Sequence, residues 1–172
     1  MEQPTKKAIQ IGTHRFNWGS QTYVMGIINA TPDSFSGDGI LQGTVDPIAK
    51  AVAQGVDFVN AGAHILDVGG ESTRPGANIV HTEDEINRVV PVIKALANAV
   101  DVPISIDTYK ATVAEAAIDA GATIVNDVWG LQADSNMATL CAEKGVLVII
   151  MHNRSKPQFV SNETHLGVSY VG

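Results

Sequence analysis

Tyr23-Val24-Met25-Gly26-Ile27-Ile28-Asn29-Ala30-Thr31-Pro32-Asp33-Ser34-Phe35-Ser36 decides how the rest of the chain is read. Its first half is an apolar run without alternation, the pattern of a strand buried on both faces. Its second half breaks into a loop with a proline, a carboxylate and hydroxyls. Asp, Ser, Thr and Pro are ordinary turn residues, so this loop alone fits a plain turn as well as a functional one. A core strand that ends in reactive side chains is nevertheless where α/β proteins place their sites. The decision rests on whether later strands end the same way.

They do. Ala63-His64-Ile65-Leu66-Asp67-Val68-Gly69-Gly70 is a second apolar strand with an acid near its end, and the loop Glu71-Ser72-Thr73-Arg74-Pro75-Gly76-Ala77 follows it. Val102-Pro103-Ile104-Ser105-Ile106-Asp107-Thr108 is a third, Thr123-Ile124-Val125-Asn126-Asp127 a fourth, and residues 146–153 a fifth, closing on Met151-His152-Asn153. Helical patterns separate them. Thr44 or Asp46 caps the first with Pro47 in its opening turn, and Ile48, Val52, Val56 and Val59 share a face until Gly62. Thr82-Glu83-Asp84-Glu85 reads as a capping box. The apolar spacing after it runs to Val100, with a kink or restart expected at Pro91. Thr108 caps a helix over residues 110–120, and Asp134 or Ser135 opens one to Lys144, stopped by Gly145. Residues 8–18 read as a small N-terminal hairpin. Residues 154–172 are polar and aperiodic.

The repeat is strand, polar loop, helix, glycine stop. Such βα units build an open doubly wound sheet or a (β/α)8 TIM barrel. Neither GxGxxG nor GxxxxGK[ST] occurs, so the nucleotide fingerprints of the open-sheet option are missing.

Composition bounds the function. At 172 residues the chain suits one domain, spanning 1–172. With 45% hydrophobic and 17% charged residues it is ordinary for a soluble globular protein. A net charge of −7 argues against a general nucleic-acid binder. A local cation or metal still lets such a chain hold an anionic small molecule. Cys141 is the single cysteine, which excludes a disulfide framework and a cysteine metal cage. No signal-peptide pattern or membrane-length apolar run is read, so a cytoplasmic location is expected.

The strand ends gather Asn29, Asp33, Ser34, Asp67, Thr73, Arg74, Asp107, Asn126, Asp127, Met151, His152 and Asn153. Each acid alone is more often a helix cap or a solvated turn. Recurrence on five consecutive strands is harder to dismiss, because these ends share one rim in the architecture. The residue types suit a polar heterocycle with an anionic tail. Asp accepts from ring donors, the Asn amide both donates and accepts, and Arg74 can grip a phosphate in a bidentate fork. Neutral oxygen ligands suit Mg²⁺ shared with substrate phosphates better than a zinc cage.

Asn29–Ser36, Asp67–Gly76, Ser105-Ile106-Asp107-Thr108 and Val125-Asn126-Asp127 resemble, in order, the motifs of the dihydropteroate synthase family of pterin-binding barrels. The resemblance covers residues 23–153. It implies a (β/α)8 barrel that joins p-aminobenzoate to 6-hydroxymethyl-7,8-dihydropterin diphosphate in folate synthesis. It implies that Asn29 ligates Mg²⁺ and that Thr73 contacts the diphosphate. Arg74 lies in the second loop and, with Asp107, acts in catalysis. Asp107 and Asn126 bind the pterin between apolar walls of Val128 and Met151, and Phe35 and Pro75 flank the p-aminobenzoate. No nucleic acid or membrane partner is implied, and a homodimer is left open for the full-length form. Gly37-Asp38-Gly39 departs from the family's usual Asp-Gly-Gly. The family's later Asp, Lys and Arg-x-His motifs have no counterpart after the fifth strand, and a whole barrel needs about 250 residues. The expectation is an N-terminal portion with open strand edges and without full activity. The alternatives are a non-catalytic pterin-binding remnant and another pterin barrel, such as a methyltetrahydrofolate methyltransferase.

Overall fold

Five apolar runs become five parallel strands laid side by side in chain order. The computed structural model describes residues 8–31, 46–72 and 79–152. An antiparallel hairpin comes first, β1 (Ala8–Ile11) and β2 (His14–Asn17). The sheet follows as β3 (Met25–Asn29), β4 (Ile65–Gly69), β5 (Ile104–Asp107), β6 (Ile124–Asp127) and β7 (Leu147–Ile150). Helices α1 (Pro47–Asn60), α2 (Thr82–Ala99), α3 (Ala111–Asp119) and α4 (Met137–Lys144) make the crossovers. A doubly wound sheet reverses its strand order at a switch point. Here the order β3-β4-β5-β6-β7 never reverses, so the sheet is part of an incomplete (β/α)8 barrel.

Each strand divides its side chains between two faces. On the outer face Ile28, Leu66, Val68, Ile106 and Val125 pack against Ala51, Val89, Ile93, Leu96, Val113 and Ala117 of the helices. Buried Cys141 of α4 joins this layer, and burial, with the Asp127 carboxylate nearby, pushes its thiol pKa up. On the inner face Ile65 and Ile124 pack with Ile11 and Phe16 of the hairpin, joined by Met25 and Leu147. The hairpin thus plugs the barrel floor with apolar side chains, and the polar inner residues lie above that plug. The sheet ends at β3 and β7, and among the described residues no strand pairs beyond either. Ile27 is 60% and Ile150 58% exposed, as expected for unfinished edges. Among the described residues no helix is long and apolar enough to cross a membrane.

Local sequence signals mostly hold. Asp46 caps α1 by accepting from Ile48 N at 3.0 Å, with Pro47 in the first turn. The capping box at Thr82 does not form. Thr82 is already helical, His81 is the N-cap residue, and no side chain caps the turn. Glu85 turns inward to a lysine instead, because a charge-assisted bond outweighs one to its own backbone. The helix runs through Pro91 without restarting. α4 begins at Met137, later than Asp134 suggested; Asp134 Oδ1 accepts from Asn136 N at 3.0 Å in the turn before it, and its Oδ2 accepts from Ala111 N at 2.9 Å at the start of α3.

Gly55 is where α1 comes closest to the sheet. A Cβ there would lie 2.5 Å from Leu96 Cδ2 and 3.2 Å from both Ile28 Cδ1 and Leu66 Cδ1. All three side chains are fully buried and have nowhere to retreat. Gly55→Val is expected to lower stability by about 2 kcal/mol despite removing a helical glycine. Urea denaturation checks it, and an unchanged midpoint contradicts the close packing.

Candidate functional site

Strand register assembles the site. Asn29 pairs with Gly69, Gly69 with Asp107, and Asp107 with Asn126, one row across four strands at their C-terminal ends. One step below, Asp67 pairs with Ser105. Gly69 leaves room in the row, since a Cβ there would already touch Asp107 Cβ at 3.6 Å.

Asn126 Nδ2 donates to Asp67 Oδ2 at 3.0 Å, which turns the amide oxygen away from that carboxylate. Asp67 is 3% exposed, yet among the described residues its Oδ1 has no hydrogen-bond partner, and neither does the buried Ser105 hydroxyl. Burial raises the Asp67 pKa. The Ser105 hydroxyl and the Asn126 amide offset part of that rise, Ser105 by proximity rather than by a formed bond. Burial pushes Asp107 up to about 7, with further lift from Asp67, Glu85, Asp127 and Glu71. An unpaired buried acceptor costs about 1–3 kcal/mol. A planar ligand rich in N–H groups would satisfy Asp67 and Asp107, while the Asn126 oxygen would accept and its amide donate.

The other expected residues divide. Val128 is half-buried just past β6, and Met151 is 46% exposed past β7, where its N–H meets Asp127 O at 3.4 Å. Asn29 is exposed at the end of β3. Asp127 is not a site residue: its carboxylate is buried and accepts from Trp129 N at 2.8 Å and Leu131 N at 2.9 Å to fold the turn after β6. Asp33, Ser34, Phe35, Thr73, Arg74, Pro75 and Asn153 lie outside the described residues.

As to magnesium, no three His, Cys, Asp or Glu side chains gather into a metal cage among the described residues. Asn29 offers one neutral oxygen. That donor fits an ion shared with substrate phosphates and does not fit a resident, all-protein site.

Sequence reasoning missed a neighbouring cluster. Lys110, just before α3, donates to Glu71, to Glu85 Oε2 at 2.6 Å and to Val80 O at 2.7 Å, and Tyr109 OH donates to Glu71 Oε1 at 3.0 Å. A signal was available. Glu85, Val89, Val92 and Leu96 share one helical face, so Glu85 lies on the buried stripe and needs a cation.

The register row and the apolar plug beneath it define an α/β-barrel protein with a polar ligand site on its strand ends. The chain matches the family described as pterin binding enzyme over residues 25–168, and it belongs to that family. It is 52% identical over 151 residues to a dihydropteroate synthase of Clostridium beijerinckii, covering 88% of this chain and 55% of that protein. It is 48% identical over 143 residues to the dihydropteroate synthase of Bacillus subtilis, covering 83% and 49%. Among solved structures, a Clostridium difficile dihydropteroate synthase determined in the presence of pteroic acid superposes with a TM-score of 0.74 at 51% identity, covering 81% of this chain and 52% of that one. A Xanthomonas albilineans dihydropteroate synthase with 4-aminobenzoic acid gives 0.77 at 40% identity, covering 85% and 52%. The chain therefore spans about half the length of the relatives it matches.

The raised Asp107 pKa carries a stability consequence. Its ordinary value is 3.8 and its folded value about 7, so the folded state holds the proton more tightly than the unfolded chain does. The favourable contribution is complete below about pH 4 and is lost as pH rises through about 7. Asp107→Asn removes that loss. Urea midpoints of the parent and the variant are expected to diverge from pH 5 to pH 8, with the variant ahead at pH 8 by an amount on the order of 2 kcal/mol. Parallel pH profiles would contradict the buried, charge-crowded setting of Asp107.

Proposed function

We propose that the chain supplies the pterin half of a dihydropteroate synthase, which condenses p-aminobenzoate with 6-hydroxymethyl-7,8-dihydropterin diphosphate and releases diphosphate. The observation that carries this reading is the inner polar row, where Asp107 and Asn126 stand together over the unsatisfied Asp67 Oδ1. A pterin ring presents N–H donors along one edge and would complete these acceptors, with Val128 and Met151 as apolar walls. The named relatives above are synthases, and none of their names favours the methyltransferase alternative.

Asn29 would hold Mg²⁺ together with the diphosphate oxygens, and that ion would neutralise charge on the leaving group. Thr73 and Arg74 would contact the same diphosphate. As the carbon–oxygen bond to diphosphate lengthens, positive charge grows on the pterin methylene, and a nearby Asp107 carboxylate stabilises it. With a pKa near 7, Asp107 carries that charge increasingly above neutral pH. Phe35 and Pro75 would align the aromatic amine for attack, so that positioning supplies much of the rate. No covalent intermediate with the protein is required. The reaction belongs to the cytoplasm in this reading.

Calorimetry of the 172-residue chain with the pterin diphosphate and Mg²⁺ tests the proposal. Saturable binding is expected, weakened at least about tenfold by Asn126→Ala through loss of buried hydrogen bonds. Dihydropteroate formation is expected to be far slower than in a full-length relative. The reading fails if the parent does not bind the ligand, or if Asn126→Ala binds as well as the parent.

A further inference from the structure

The Lys110 cluster lies beside the site; its two carboxylates add to the lift on the Asp107 pKa, but none of its side chains has been given a contact with substrate. Lys110 Nζ carries three N–H donors, and three acceptors receive them: Glu71, Glu85 Oε2 and the Val80 carbonyl. The ammonium is thus saturated and has nothing left for a substrate. Its partners occupy distinctive places. Glu71 stands two residues past the end of β4, Val80 stands two residues before α2, and Glu85 lies in the first turn of α2. One cation on the β5–α3 connection therefore ties both described ends of the β4–α2 connection to each other and to the strand that carries Asp107.

Two further contacts tighten the knot. Arg88 Nη1, one turn beyond Glu85, donates to Gly70 O at 2.9 Å. Gly70 admits α2 so closely that a Cβ would meet Val89 Cγ1 at 2.7 Å and Glu85 Cγ at 3.0 Å. Burial makes the contacts strong: the Glu85 side chain is 1% exposed, Glu71 10% and Lys110 15%. Two carboxylates against one ammonium leave the pair dependent on that lysine, because removing it strands two buried charges.

We propose that Lys110 is a positioning residue that fixes the two ends of the β4–α2 connection at the mouth of the site, and so sets how the diphosphate, rather than the pterin ring, is held. The second clause rests on the synthase reading above. Glu71 is the chain's entry to Thr73 and Arg74, whereas the ring faces Asp107 and Asn126, which this cluster does not touch by hydrogen bond. The compact ammonium is suited to three converging acceptors, and a planar guanidinium fork is not.

The test uses the 172-residue chain and two variants. Glu71→Gln loosens only the β4 end and keeps the Lys110–Glu85 pair, so it folds even where Lys110→Met does not. Backbone order parameters from ¹⁵N relaxation read the ends directly. In Glu71→Gln, Glu71-adjacent Ser72 is expected to drop from the rigid range near 0.85 to below about 0.6, while Val80, still held by Lys110, and β3 and α1 stay rigid. Calorimetry then compares 6-hydroxymethyl-7,8-dihydropterin diphosphate with 6-hydroxymethylpterin. The diphosphate ligand is expected to weaken at least about tenfold, and the ligand without diphosphate to change less than twofold. Unchanged order parameters overturn the positioning role. An equal loss for both ligands overturns the link to the diphosphate and reduces the cluster to stability alone. Failure of the parent to bind either ligand strikes the synthase reading, and the order parameters still decide the role of Lys110.

Discussion

Parallel pairing of β3 through β7 in one unbroken order forces every second side chain inward, and almost everything else follows from that constraint. The inner residues need company that the helices cannot supply. The hairpin meets the demand at the floor, where Ile11 and Phe16 cover Ile65 and Ile124. Above the floor the inner positions are Asp67, Ser105, Asp107 and Asn126, which apolar packing cannot satisfy. The same alternation that builds a dry outer core thus concentrates unsatisfied polar groups in one place. Burial, with the nearby carboxylates adding to it, raises the Asp107 pKa, and the spare acceptors of this group define what the site would bind.

A second charged knot stands beside the first and differs in kind. Around Asp67 and Asp107, hydrogen-bonding capacity is left open. Around Lys110 each ammonium proton has an acceptor, and Tyr109 fills the remaining oxygen of Glu71. Open capacity suits a ligand, and closed capacity suits a scaffold. Gly70 belongs to both worlds, since its missing side chain lets α2 press on the strand end and its carbonyl holds Arg88.

Much of this was legible in the sequence for simple reasons. Continuous apolar runs with glycine stops gave five strands and their crossovers at nearly the right bounds. Asp107 and Asn126 were readable because strand ends converge in any parallel α/β fold, so position alone brings them together. Asp67 was seen at the rim, but its bond to Asn126 depends on inter-strand register, which no local pattern encodes. Asp127 looked like a rim acid and turned out to fold its own turn, because one step of alternation sends it to the opposite face. The Thr82–Glu85 spacing matched a capping box, yet the tertiary pull of Lys110 prevailed over a local hydrogen bond. Phe35 and Pro75 rest on motif resemblance alone, whereas Thr73 and Arg74 rest on that and on side chains suited to a phosphate.

The lone thiol gives the molecule a built-in clock. Cys141 is sealed under α4 and its burial holds it in the unreactive protonated form. Only the thiolate attacks an alkylating reagent, so labelling must wait until α4 lifts from the sheet. Through Cys141 and Met137, α4 joins the layer that holds Val125 of β6 and has Val148 of β7 packed against it, next to the exposed Ile149 and Ile150. The rate at which this one sulfur is captured therefore times the breathing of the unfinished side of the barrel, with no dye or engineered residue needed.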